Sequence, residues 1–345
     1  MRLAKARAFI STIVVLSGAV KLKFVITAFF FLAISTSPAH SIVNGSPAVG
    51  ADYVVTMLTG NNARPYCTGA YLRPRVVVTA AHCVTKSGAR APELIFPLED
   101  WYVSQPGIDV LTPEAKSSKV KVQKIWTDPD YFNRWEPDNG LREGQVNDIA
   151  FLFLEKELSG PTITRAASRD EIESFRLGQG RAFHLGYGSI GDVNGQIWPN
   201  DGKPYIVEDI YGTNSQPAHI PIRDRILQVK YPYGKSVCPG DSGSPLLIKK
   251  GSEVIYLGTI FAGGNCEAAA KGIQNLPEAS VTVLWPFVSA LEEQYKEFLI
   301  ENAKPIAAAP TPKVAKSITI KCTKGKLTKK VSGKNPKCPG GYKRA

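Results

Sequence analysis

The chain has 345 residues, 43% hydrophobic and 21% charged, with a formal net charge of +12, a balance that excludes both a disordered polyelectrolyte and a stack of membrane spans. The charge is unevenly spread: residues 1–41 hold five Lys/Arg and residues 303–345 hold twelve, with no acid in either stretch. Together these exceed the net charge, so residues 42–302 are mildly acidic and the high overall pI does not mark the body as a nucleic-acid binder.

Two apolar runs open the chain, Ala8–Val20 and Phe24–Thr36. Each is shorter than the ~18 apolar residues that a span needs. Lys21 and Lys23 ahead of FVITAFFFLAIST, then the small residues Ala39 and Ser41, read as a secretory signal over 1–41; an uncleaved anchor is the alternative. Cleavage after Ser41 would leave Ile42 as the new N-terminus. A secreted chain meets an oxidising compartment, where six cysteines form an even set for three disulfides.

From Ile42 to about 285, short β-type runs alternate with Gly, Pro and Asn turns: Val76–Ala80, Val120–Trp126, Ile149–Leu154, Val254–Phe261 and Ala279–Leu284. The pattern predicts an all-β barrel or sandwich. Residues 189–235 read as long loops around at least one strand, Ile226–Tyr231. Trp285–Ala303 carries apolar residues at Phe287, Val288, Leu291, Tyr295, Phe298 and Leu299, a helical spacing. A Pro/Ala-rich linker follows over 303–316, then a basic module over 317–345 with Cys322 and Cys338.

Three segments carry chemistry. CPGDSGSP, Cys238–Pro245, surrounds Ser242 with small residues that let a substrate carbonyl approach and leave the Gly240 and Ser242 N–H groups to form an oxyanion hole. VVVTAAHCV, Val76–Val84, ends an apolar strand in a turn that presents His82. NDIAFLFL, Asn147–Leu154, puts Asp148 just ahead of a strand. A serine hydroxyl needs a base, and the base needs an orienting group. Each segment alone has a bland reading as a turn or strand boundary; His40, His184 and His219 have no comparable setting.

The order His82, Asp148, Ser242, together with IVNG at Ile42–Gly45, CTGAYL at Cys67–Leu72 and GYG at Gly186–Gly188, resembles the trypsin/chymotrypsin family of serine proteases over about Ile42–Asn302, in a secreted, bacterial-type member. The resemblance implies two six-stranded antiparallel β-barrels with a C-terminal helix. It further implies His82 as general base and then acid, Asp148 as its orienter and Ser242 as nucleophile. It pairs Cys67 with Cys83 and Cys238 with Cys266, which leaves Cys322 for Cys338. It makes Ile42 and Asp241 an activation pair, the new ammonium burying against the carboxylate. Ser41, where family zymogens often carry Arg or Lys, points to signal-peptidase release of Ile42 without a propeptide.

The family's pocket floor falls on Ser236, which carries no charge, so apolar or small P1 residues are expected. The usual Ser-Trp-Gly of the pocket edge reads Ile260-Phe261-Ala262, or begins at Thr259, and places Ala262 in the pocket. Gly243-Ser244 stands for the commoner Gly-Gly, and WYVSQPGIDVLTPEAK reads as an insertion between His82 and Asp148.

The expected partners are protein or peptide substrates, acted on by a monomer without cofactor, metal or nucleic acid. The basic tail, a stapled hairpin, resembles modules on secreted bacterial proteins and suits an anionic cell-surface polymer, with a merely solvated tail as the alternative. A protease-fold binding protein is the competing class, although such proteins commonly lose a triad member. An esterase is disfavoured because Ser244 breaks the G-x-S-x-G elbow.

Overall fold

The structure, a computed structural model, describes residues 40–59, 66–86, 93–131, 147–191, 197–215, 224–273, 278–303, 318–333 and 335–345. The signal segment before His40, His219 and the linker beyond Ala303 lie outside them. The chain divides into two compact units between Leu291 and Glu292. Among the described residues no helix is long and apolar enough to cross a membrane.

In the larger unit, six strands close a first barrel: β1 (Val54–Thr59), β2 (Thr68–Arg73), β3 (Val76–Thr79), β4 (Trp101–Val103), β5 (Val120–Thr127) and β6 (Ala150–Leu154). Their order around it is β1-β2-β3-β6-β5-β4. Six more close a second: β7 (Ala182–Gly186), β8 (Tyr205–Thr213), β9 (Ile226–Lys230), β10 (Pro245–Lys250), β11 (Glu253–Gly263) and β12 (Glu278–Val283). Their order, β7-β10-β11-β12-β9-β8 with β8 pairing back to β7, follows the same route as the first when traced in the opposite sense. All neighbouring strands within the two closed circuits are antiparallel. Two closed six-stranded barrels are the fold of chymotrypsin-like proteins, as the resemblance implied.

Closure leaves no unpaired edge in either barrel. Each encloses its own apolar cluster: Val55, Met57, Tyr71, Val77, Trp101, Val103 and Leu152 in the first, and Val207, Leu227, Val229, Leu246, Leu257 and Val281 in the second. Trp101 and Val103 belong to β4, so the stretch read as an insertion supplies a strand of the first barrel, and helix α1 (Pro113–Ser118) follows it. The region read as loops around at least one strand holds β9, the long strand β8, and two short strands, Ile190–Gly191 and Ile197–Trp198. The signal for β8 was broken at Glu208–Asp209, two successive exposed residues, where Asp209 adopts φ 61° and the register against β7 slips. That bulge interrupts the alternation from which a strand is read.

In the chain between the two barrels, helix α2 (Arg169–Arg176) starts with a capping box formed by Ser168 and Glu171 and packs Ile172 and Phe175 into the second barrel's cluster. Arg165 forks onto both oxygens of Glu171. Helix α3 (Cys266–Ala270) follows β11. The predicted C-terminal helix begins as a 3-10 turn at Trp285–Phe287 and continues as α4 (Val288–Ala303).

In the smaller unit, β13 (Ile318–Lys324) pairs with β14 (Leu327–Gly333) and with β15 (Lys343–Arg344), and Cys322 is joined to Cys338. The register sets Lys321 directly across from Lys330.

Candidate active site

Strands β3 and β6 run antiparallel with Thr79 opposite Ala150. The end of one therefore meets the start of the other, and residues just beyond these positions share one rim of the barrel. His82, three residues past Thr79, sits in the 3-10 turn Ala81–Cys83. Asp148 lies two residues before Ala150 and is almost wholly buried. Its Oδ1 accepts the His82 backbone N–H at 2.8 Å, and its Oδ2 lies 2.7 Å from His82 Nδ1. One carboxylate thus fixes both the turn and the ring. With Nδ1–H donated to Asp148, the other ring nitrogen is left as an acceptor.

Burial disfavours the imidazolium, but the Asp148 charge and hydrogen bond outweigh it and raise the His82 pKa above 6.5. Tyr131 is buried nearby; burial first, and the Asp148 charge second, push its pKa well above the ordinary tyrosine range. Cys67 and Cys83 gather around His82 but are bonded to each other, which leaves no thiolate for a metal.

The loop carrying Ser242 comes from the other barrel and is held against this rim by Thr68. The Thr68 N–H donates to the Ser242 carbonyl at 2.9 Å, and its hydroxyl donates to the Gly240 carbonyl at 2.9 Å. The same hydroxyl accepts from Tyr187 N, and the Thr68 carbonyl accepts from Thr79 Oγ1 at 2.7 Å. One residue thus links β2 and β3 to the loop carrying Ser242 and to the GYG turn. Gly243 completes the junction. At φ 87° it lies so close to β3 that a Cβ there would sit 2.1 Å from Thr79 Oγ1 and 2.2 Å from the Thr68 carbonyl oxygen. Ser242 is partly exposed. Its Oγ makes no hydrogen bond among the described residues, to His82 or otherwise, and the N–H groups of Gly240 and Ser242 are likewise without partners among them.

Asp241 turns the other way, into the second barrel, 1% exposed. Its Oδ1 accepts from Gly188 N and its Oδ2 from Cys238 N, each at 2.8 Å. The glycines of GYG make room for it: a Cβ at Gly186 or Gly188 would fall 2.1 or 2.3 Å from a carboxylate oxygen. Burial pushes Asp241 up to about 7 against these two hydrogen bonds. Ile42 is fully buried in the second barrel's cluster. The residues around it are held on both sides: Ser41 pairs with Ile190, two residues from Gly188, and Val43 bridges to Ser236. Ile42 itself has φ 49°, a left-handed conformation that strains a β-branched side chain.

Ser236 is buried, its hydroxyl bonded to its own loop at Val237 O. Gly264 packs over it, with Ser236 Oγ 2.7 Å from where a Cβ would be. Ile260 exchanges main-chain bonds with the loop carrying Ser242, accepting from Gly243 N and donating to Ser244 O. Thr259 and Ile260 are core residues, and the first residue free of that exchange is Phe261, which packs in the first barrel's cluster with Ala80, Ala81 and Cys83. Ala262 follows, partly exposed. The disulfide Cys238–Cys266 ties the loop carrying Ser242 to α3. Thr68 stands within the CTGAYL segment, yet its role is not legible there, because contacts with residues more than a hundred positions away leave no local pattern.

The family model described as Trypsin matches residues 42–277. Phenoloxidase-activating factor 1 of Holotrichia diomphalia is 23% identical over 284 residues, covering 77% of this chain and 71% of that protein. Ovochymase of Halocynthia roretzi is 25% identical over 61% of the chain and 12% of its own length. Human mannan-binding lectin serine protease 1 is 24% identical over 65% of the chain and 32% of its own length. The chain thus spans under a third of the latter two.

Proposed function

Because the chain belongs to the trypsin family and is a serine-type endopeptidase, we propose that it cleaves peptide bonds through Ser242, His82 and Asp148. Ser242 Oγ attacks the scissile carbonyl while the unbonded nitrogen of His82 takes its proton. The oxyanion is received by the N–H groups of Gly240 and Ser242. Collapse expels the amine, which takes the proton from His82 and leaves an acyl-Ser242. Water, deprotonated by the same imidazole, then releases the acid and restores the serine. The observation that carries this reading is the double hold of Asp148 on His82, through Nδ1 and through the backbone N–H.

An uncharged Ser236 at the pocket floor supports a preference for apolar or small P1 residues. Full burial of Ile42 supports its release as the mature N-terminus by signal-peptidase cleavage after Ser41 during export. The φ of Ile42 is a torsion about its bond to nitrogen defined by the carbonyl of Ser41, so cutting the Ser41–Ile42 bond removes the strained torsion altogether. Labelling the secreted protein with a fluorophosphonate tests the chemistry: label is expected on the parent and lost in Ser242→Ala and His82→Ala. Label retained by Ser242→Ala would overturn the assignment. A peptide-library digest dominated by cuts after Arg or Lys would refute the pocket reading, and a mature chain starting at His40 or earlier would refute the processing.

The basic module is read as an adhesive for anionic surface polymer. Lys321 opposite Lys330 is an unfavourable cross-strand pair, which a polyanion would relieve. Deleting residues 304–345 should abolish retention on such a polymer at low salt; unchanged retention would leave the tail a solvated appendage.

A further inference from the structure

Behind the nucleophile loop, Tyr231, His184 and Ser244 form a line of fully buried polar side chains. The directions of their hydrogen bonds follow from counting protons. Ser244 Oγ donates its one proton to the Asp241 carbonyl at 2.5 Å. It must therefore accept from His184 Nε2, 2.5 Å away, which makes Nε2 the protonated nitrogen. Burial holds His184 down to about 3, so the ring is neutral and Nδ1 is bare. Nδ1 then accepts from the Tyr231 hydroxyl at 3.1 Å. The chain runs one way, from Tyr231 through His184 and Ser244 to a single carbonyl.

That carbonyl belongs to the peptide whose other end is the Ser242 N–H. It does not need the chain for satisfaction, since the Ser244 backbone N–H already donates to it at 3.0 Å. Nor is a buried set of this kind a strong source of stability, because apolar side chains of like shape would serve the core about as well. What the chain does distinctively is to place a second, cooperative donor on one peptide oxygen, which draws electron density away from that peptide's N–H and makes it a better donor. A fixed, polarised donor is what a developing oxyanion requires.

We propose that Tyr231, His184 and Ser244 are positioning residues for catalysis, fixing and polarising the Asp241–Ser242 peptide so that its N–H binds the transition-state oxyanion more strongly than the substrate carbonyl. The proposal rests on the reading of Ser242 as nucleophile. Ser244, which stands where the family more often has glycine, is thereby the last link of a relay.

The test uses the mature protein and three variants, Ser244→Ala, Tyr231→Phe and the double variant, each with its active sites counted by fluorophosphonate titration. Steady-state kcat and KM on one peptide substrate are measured alongside the Kd of a peptide aldehyde, which captures Ser242 as a tetrahedral adduct. Ser244→Ala is expected to lower kcat by about tenfold with KM within about twofold, and to weaken the aldehyde in parallel. Tyr231→Phe, which keeps the ring and loses only the first donor, should cost about two- to threefold, and nothing further once Ser244 is alanine. Unchanged kcat per titrated site, with only the melting temperature lowered, would make the set purely structural and overturn the proposal. Additive losses in the double variant would also overturn it, by breaking the relay into unrelated contacts. Should Ser244→Ala fail to fold, the kcat and aldehyde affinity of Tyr231→Phe decide alone, and no loss in either refutes the proposal. Absence of label on the parent protein would instead refute the nucleophile assignment beneath it.

Discussion

Freeing the α-amino group of Ile42 should stabilise the folded protein and switch on its activity, by an amount that the burial of Asp241 sets. Moving that carboxyl from 3.8 to about 7 corresponds to roughly 4 kcal/mol of disfavour for the ionised form. The sign follows from proton binding. With its folded pKa raised, Asp241 binds a proton in the native state that the unfolded chain has already released near pH 4. Its contribution therefore favours folding in acid and declines as pH rises from about 4 to 7, above which the ionised group carries the full cost. A buried ammonium beside it would offset that cost.

The perturbation is one residue: a chain beginning at Ile42 compared with one that retains Ser41. Recovery of half the penalty, ~2 kcal/mol, should raise Tm at pH 8 by roughly 4–8 °C in the Ile42 form. The ammonium, its own pKa raised by the carboxylate above the usual ~8, should hold activity up to that pH and lose it as pH rises through the raised value. The assay is kcat/KM across pH 6–11 with thermal melts of both forms. An extended form with equal activity, equal Tm and the same alkaline limb would refute the reasoning.

Three further outcomes follow from the geometry. Since Asp148 raises the His82 pKa, kcat/KM should fall as pH drops through a value no lower than 6.5, and an acid limb set well below 6.5 would deny the pairing. Gly243→Ala should destabilise the protein by at least 1–3 kcal/mol in urea titration, because the added methyl meets Thr79 and the Thr68 backbone at a positive φ; a neutral result would mean that the two barrels do not touch there. Replacing Cys238 and Cys266 by serine opens a link spanning 28 residues. It should cost ~3.5 kcal/mol in chain entropy, with activity lost at lower denaturant than bulk structure because the bond braces the nucleophile loop.

Much of this molecule was legible from its sequence, and the reason is local. His82 and Asp148 each abut an apolar strand, and Ser242 sits among small residues; such short contexts survive reading one stretch at a time. The same holds for β3, β6 and β11, each built around a run of at least three consecutive apolar residues. What escaped is what the fold alone brings together. Thr68 reaches Gly240 and Tyr187 across more than a hundred residues, and His184 looks like an isolated histidine until Tyr231 and Ser244 arrive on either side. β8 was hidden by its own bulge at Asp209, and β4 by its shortness, three residues followed by a turn and a helix.

The glycine at 243 bears on how such a site can diverge. Where nucleophile loop and histidine strand meet through main chain, their separation is gauged by peptide dimensions, which no exchange of side chains alters. Pocket walls, surface loops and even barrel interiors can then drift widely while the spacing of the reacting atoms stays calibrated. The cost of that arrangement is a position with no freedom at all, so a search for activity-neutral variation should find almost none at Gly243 and plenty a few residues to either side of the catalytic loop.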